Sequence, residues 1–122
     1  MIQADYIRLH RILAGSLFIF LFIIYFDTMA ATVSYWDCGE FIAVSHTLGV
    51  PHPPGSPFFL LLGRIFSMLP INEDIAFRVN VISPLVSALA VMLLYLIIVK
   101  VVTHWRGQIN TIGDGLVGFG GA

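Results

Sequence analysis

Two carboxylates and a histidine, Asp37, Glu40 and His52, sit in a stretch crowded with glycine and proline. Trp36-Asp37-Cys38-Gly39-Glu40 comes first, and Pro51-His52-Pro53-Pro54-Gly55 follows a short way on. The i, i+3 spacing of Asp37 and Glu40 puts both carboxyls on one face of a helix. Neighbouring carboxylates beside a low-dielectric surface can acquire raised or split proton affinities, which general acid–base work requires. The same spacing fits a capping pair, with Asp37 at the N-cap and Glu40 at the third helical position. The two readings are compatible.

Other residues carry similar alternatives. His52, fixed between prolines, either binds a phosphate or carries a proton, or simply sits at a wet interface. Arg64 lies in an apolar stretch, where it either meets a carboxylate or phosphate bidentately or snorkels to lipid headgroups. Arg78 poses the same choice at a helix start. Trp36, Tyr35 and Trp105 have the character of interfacial anchors, and Tyr35 and Trp36 also suit the lining of an acceptor groove. Cys38 reads as a small packing residue.

The elements that must position these residues are membrane elements. The chain has 122 residues, 58% hydrophobic and 11% charged, against about 25% charged in soluble domains. A net charge of −1 gives no bulk attraction to nucleic acid, and one cysteine allows no internal disulfide. There is no zinc-ligand spacing, no phosphate-binding glycine loop and no internal repeat. The expected fold class is all-α integral membrane. Residues 12–26 form an apolar run that, with its flanks, predicts a first transmembrane helix over about 10–27. A signal peptide shares its basic start, apolar centre and small residues at Ala30 and Ala31, but Asp27 and the bulky aromatic content argue against cleavage. Residues 79–99 carry no charge and predict the second spanning helix, over about 77–100, bent at Pro84.

Between them, residues 28–74 form the loop that carries the chemistry. Residues 37–48 predict a short interfacial helix, with Phe41, Ile42, Val44, Ser45 and Leu48 on its apolar side and Gly49 ending it. Pro51, Pro53, Pro54 and Pro57 then impose a stiff extended segment. Residues 58–69 are apolar but too short to span, which predicts a re-entrant or interfacial helix. Asn72 is placed to cap the next helix, with Glu73 and Asp74 near its positive end. Arg8 and Arg11 precede the first span, and Lys100 and Arg106 follow the second, so both basic ends are expected inside and the loop outside. Residues 112–122 read as the start of a third helix, the mark of a piece of a longer polytopic protein.

Tyr35-Trp36-Asp37-Cys38-Gly39-Glu40-Phe41-Ile42-Ala43, then Leu48-Gly49-Val50-Pro51-His52-Pro53-Pro54-Gly55-Ser56-Pro57 and Leu61-Leu62-Gly63, closely resemble a bacterial membrane family. It is catalogued as a domain of unknown function, is common in Bacteroidetes-type genomes, and is itself similar to protein O-mannosyltransferases. The resemblance runs from Leu13 onward and covers the N-terminal part of the family only. It implies a GT-C-type polytopic helical fold in a bacterial inner membrane, with a cytoplasmic N-terminus and a periplasmic loop. It also implies a glycosyltransferase that moves a sugar, with inversion, from a polyprenyl-phosphate donor to a hydroxyl of a protein or glycan acceptor.

On that resemblance Asp37 is the leading catalytic candidate with Glu40 as partner, and His52-Pro53-Pro54 matches a His-Pro-Pro segment of the class. Many GT-C enzymes have two adjacent acids. Here Cys38-Gly39 separates them, which leaves open which one is the base. Arg64, Arg78, His52 or arginines of a longer chain would stabilise the leaving phosphate. The two carboxylates could share a divalent ion with groups outside this chain. The rival readings are a transporter or flippase-like protein, which would use the acids and Arg64 for coupling, and a small non-catalytic membrane subunit, in which Asp37 and Glu40 only cap a helix.

Overall fold

The structure is a computed structural model that describes residues 2–53 and 55–106. Pro54 and the expected third helix over 112–122 lie outside the described residues. Among the described residues five helices follow one another: α1 (Ile2–Thr28), α2 (Cys38–Thr47), α3 (Pro57–Ser67), α4 (Ile75–Asn80) and α5 (Ile82–Arg106). No strand occurs among the described residues.

Two stretches, Ile7–Thr28 and Ile75–Trp105, are long and apolar enough to cross a bilayer, and only 11% and 17% of their most apolar windows are buried. A helix in a soluble core would bury that apolar face. Here Ile12, Ile19, Phe20 and Ile23 of α1 and Leu93, Leu94 and Ile97 of α5 stand exposed. At about 1.5 Å per residue, α1 is about 40 Å long, enough for a hydrocarbon core of about 30 Å. The chain is an all-α membrane protein.

The chain divides into two compact units. One comprises Met1–Ile23 and Ser87–Ala122. Within it His10 Nδ1 and the Tyr95 hydroxyl are 2.5 Å apart, and both side chains are buried. Ala14 and Ala88 are buried as well, small residues of the kind that let membrane helices approach closely.

The other unit, Ile24–Val86, carries the candidate chemistry. Its core is Ile42 of α2, Ala76 and Val79 of α4 and Ile82 of α5, flanked by Phe59, Leu62 and Phe66 of α3 and by Ile75. The α2–α3 crossing depends on Gly63. A Cβ built there would stand 2.8 Å from Ser45 Cβ and closer still to Ser45 Oγ. Two arginines tie the helix ends. Arg64 Nη1 donates to the His46 carbonyl in the last turn of α2. Arg78 donates from Nε to the Asn72 carbonyl at 2.5 Å and from Nη1 to the Ser67 carbonyl at 2.9 Å.

Two local expectations are corrected. At the end of α2 it is Leu48, not Gly49, that takes the left-handed conformation, with φ 55°. The Gly49 N–H also returns to the Val44 carbonyl at 3.1 Å, so the turn closes with the glycine one place later. At α4 the cap is Asp74, whose Oδ1 accepts from the Ala76 N–H at 2.8 Å. Asn72 Oδ1 instead accepts from the Asp74 N–H, forming the turn that leads into the helix. The Thr32 hydroxyl, followed by the Ala76 N–H, holds the Asp74 carboxyl below its usual range. Asp74→Ala is therefore expected to lower Tm by a few degrees while Asp74→Ser largely preserves it, as scanning fluorimetry in detergent would show. The interruption near Pro84 is slight: α4 ends at Asn80, α5 begins at Ile82, and Val81 between them keeps helical angles, φ −57° and ψ −23°. Pro84 lacks the N–H that would return to the Asn80 carbonyl four residues back.

Candidate active site

The sequence places Glu40 one turn into α2 and His52 beyond the Leu48–Gly49 turn, and the chain's return brings them together. The His52 N–H donates to Glu40 Oε1 at 2.8 Å. The His52 ring binds the other oxygen, with Nδ1 and Oε2 2.7 Å apart. An ionised carboxylate only accepts, so the imidazole proton in this contact belongs on Nδ1. Nε2 then faces Asp37, 3.9 Å from Oδ2. Phe41 borders the imidazole, with ring centroids 6.2 Å apart, and meets Phe59 of α3 edge-on at 5.9 Å. Gly55, at φ 72°, donates its N–H to the His52 carbonyl at 3.1 Å.

Asp37 occupies the N-cap position of α2, yet its side chain makes no capping hydrogen bond, and its own backbone is helical at φ −74°, ψ −1°. Glu40 does not reach back to the cap either, because both its oxygens are held by His52. The expected capping pair is therefore not formed. Trp36 precedes Asp37 with φ 64° and is 93% exposed. A left-handed tryptophan is uncommon, and such backbone clusters at functional sites.

A family model described as the Protein O-mannosyl-transferase TMEM260 N-terminal domain matches residues 37–119, a span that opens on Asp37 and takes in Glu40 and His52. The chain belongs to the TMEM260 N-terminal domain family. It is 40% identical over 97 residues to a Dictyostelium discoideum protein named protein O-mannosyl-transferase tmem260, covering 77% of this chain and 12% of that one. It is 33% identical over 103 residues to the Mus musculus protein O-mannosyl-transferase TMEM260, covering 83% of this chain and 15% of the relative. The chain thus spans well under a fifth of the length of these curated relatives. No solved structure matches it.

The residues singled out from sequence divide into two groups. Asp37, Glu40 and His52 come together, with Trp36 adjoining Asp37. Arg64 and Arg78 are bound to backbone carbonyls of the helix ends. Two contributors were not singled out for the site. Phe41 borders His52, and the Gly63–Ser45 contact sets how α2 lies on α3. Gly63 stood within the family-like Leu61-Leu62-Gly63 run, a signal that identified the residue without its role.

The three ligand atoms of Asp37, Glu40 and His52 lie within 4.8 Å of one another, close enough to share a cation. With Nδ1 engaged by Glu40, an ion would find Asp37 Oδ2 and His52 Nε2 as its ligands from this chain. Magnesium and zinc need more ligands than that, so a longer chain or substrate would supply the rest.

The pairing has a defined pH response. The His52 N–H, then its ring, lowers the Glu40 pKa from 4.5. The Glu40 hydrogen bond, then its charge, raises that of His52 from 6.5. Glu40's contribution is present above its unfolded pKa and is lost as pH falls through the depressed folded value. His52's contribution is complete below its unfolded pKa and is lost as pH rises through the raised one. The pair is thus fully formed between about pH 4.5 and 6.5 and weakens on either side. Tm difference curves between the natural protein and Glu40→Gln should peak in that window. A difference that keeps growing above it would contradict the pairing.

Proposed function

We propose that this chain supplies the catalytic loop of a membrane glycosyltransferase that moves a sugar, mannose by analogy with its relatives' names, from a polyprenyl-phosphate donor to a hydroxyl of a protein or glycan. The observation that carries this reading is the division of labour between the acids. Glu40 has both oxygens engaged by His52, whereas Asp37 is partly exposed and free of any capping role.

A base works best when its carboxylate is not already committed to a partner. Asp37 makes no capping bond with its side chain, whereas each oxygen of Glu40 is already engaged by His52. Asp37 takes the proton of the acceptor hydroxyl as its oxygen attacks the anomeric carbon. The bond from that carbon to the phosphate oxygen breaks on the opposite face, giving inversion, and polyprenyl phosphate leaves with the electron pair. His52 lies on the base side, 3.9 Å from Asp37, where it orients the carboxylate and the incoming hydroxyl. Glu40 fixes the imidazole. The exposed ring of Trp36 offers the acceptor an aromatic surface. The leaving phosphate draws on the unused N–H groups of Arg64 and Arg78 and on cations of the longer protein.

In this reading residues 28–74 face the periplasm or lumen, and the N-terminus and the end of α5 face the cytoplasm, in line with the basic residues at both ends. The test is transfer of labelled sugar from a polyprenyl-phosphate donor by the full-length protein in liposomes. Product linked to the acceptor hydroxyl supports the reading, while uptake or lipid flipping without product would favour the transporter class. Glu40→Gln should reduce transfer less than loss of Asp37 does, because it loosens His52 without removing the base.

A further inference from the structure

A cavity of about 360 Å³ opens in the Ile24–Val86 unit beside the carboxylate–histidine cluster. Its apolar wall is Phe41, Ile42, Phe59 and Val79, and its polar rim is Cys38, Ser56, Asn80 and Ser83. Cys38 follows Asp37 directly, and Phe41 is the residue that borders His52.

The rim holds hydrogen-bonding capacity that the fold does not use. Asn80 Nδ2 donates to the Ala30 carbonyl at 2.9 Å and the Thr32 carbonyl at 3.0 Å. Both amide protons are thereby committed, the orientation of the amide is set, and Oδ1 is left as a free acceptor. Ser56, at the N-cap of α3, makes no capping bond with its side chain. The Ser83 hydroxyl has no partner among the described residues either. Three polar groups therefore converge on a space with an aromatic wall. An isoprenyl or acyl chain would leave all three unanswered. A sugar ring presents C–H faces to aromatic rings and hydroxyls to donors and acceptors, and it satisfies both halves of the lining.

We infer that this cavity is the pocket for the hexose ring of the donor, with Asn80 Oδ1 accepting from one sugar hydroxyl and Ser56 and Ser83 bonding to others. The inference rests on the glycosyltransferase reading and deepens it. Ser56 and Ser83 become binding residues, and Asn80 joins the site to the segment leaving α1.

Two measurements on the full-length protein test it. In the first, Ser83→Met fills the rim from an exposed position, and Ser56→Ala removes one hydroxyl. Each should raise the KM for the sugar donor, by about tenfold or more for Ser83→Met, with the acceptor KM changed less than about twofold. An unchanged donor KM in both variants overturns the pocket, while normal transfer leaves the enzyme reading standing. The second needs no turnover. The rate of maleimide alkylation of Cys38, followed on its own peptide by mass spectrometry, should fall several-fold with saturating mannose 1-phosphate and not with inorganic phosphate. Equal protection by inorganic phosphate, or none by either, overturns the hexose assignment. Absence of transfer by the natural protein with every donor tried would remove the reading beneath it.

Discussion

Asp37→Asn in the full-length protein lowers kcat for sugar transfer by about 10²–10⁴-fold, the range associated with losing a positioned general base, and leaves expression and Tm unchanged. The second half of that expectation comes from the structure. A capping carboxylate would stabilise α2, and its removal would weaken the helix whatever the chemistry. Asp37 caps nothing through its side chain, so stability and activity separate in this variant. The measurement is a single-turnover assay beside a thermal melt of the same preparation. Asp37→Ser sharpens it. If Asp37 only served the helix, serine would be harmless, because serine is an equally good N-cap. If Asp37 is the base, serine is as inactive as asparagine. Full transfer by either variant ends the assignment of Asp37.

Gly63→Ala produces the largest expected loss of stability, about 1–3 kcal/mol, the usual cost of overpacking. In an exposed helix the same change would stabilise by up to about 1 kcal/mol, since alanine is the better helix former. Here the new methyl would lie 2.8 Å from Ser45 Cβ, an atom that moves only if α2 moves. Steric conflict therefore outweighs propensity. Ser45 is fully buried, and its hydroxyl has no hydrogen-bond partner among the described residues, so it gives the crossing bulk without a compensating bond. The matching variant is Ser45→Gly with Gly63→Ala, which moves the gap from one helix to the other. It should recover most of the lost Tm. Because α2 carries Asp37 and Glu40, the single variant should also slow transfer, and the double variant should restore it. A single variant that melts at or above the natural temperature would show that the crossing tolerates the methyl.

The parts of this fold that were legible in the sequence are those governed by local pattern. Uncharged apolar length announced the spanning helices, and helical spacing of Phe41, Ile42, Val44 and Ser45 announced α2, although Leu48, counted on the same face, lies past its end and is exposed. What escaped depended on partners far along the chain. Glu40 is expected to reach the cap three residues before it, but the His52 N–H and ring, twelve residues later, compete for the same oxygens and hold both. Arg64 invited an anion, and the nearest acceptor was instead the carbonyl end of α2. Asn72 and Asp74 are both good caps two residues apart, and nothing local decides between them. Thr32, arriving from the other side of the loop, adds a hydrogen bond that fixes Asp74 in place. Pro84 was recognised as a disturbance, and the interruption at Val81 falls just before it, where the Asn80 carbonyl lacks the N–H that a proline cannot supply.

The Asn80 amide also sets a timetable for biosynthesis. Its two carbonyl partners, at Ala30 and Thr32, are made 50 and 48 residues earlier. At a translation rate of about 5–20 residues per second, the segment leaving α1 waits roughly 3 to 10 seconds before its anchor exists. Trp36 and Asp37 are synthesised early in that interval, while Asp74, the partner of the Thr32 hydroxyl, arrives only shortly before Asn80. The ribosome must therefore deliver the start of the second membrane span before the loop can close.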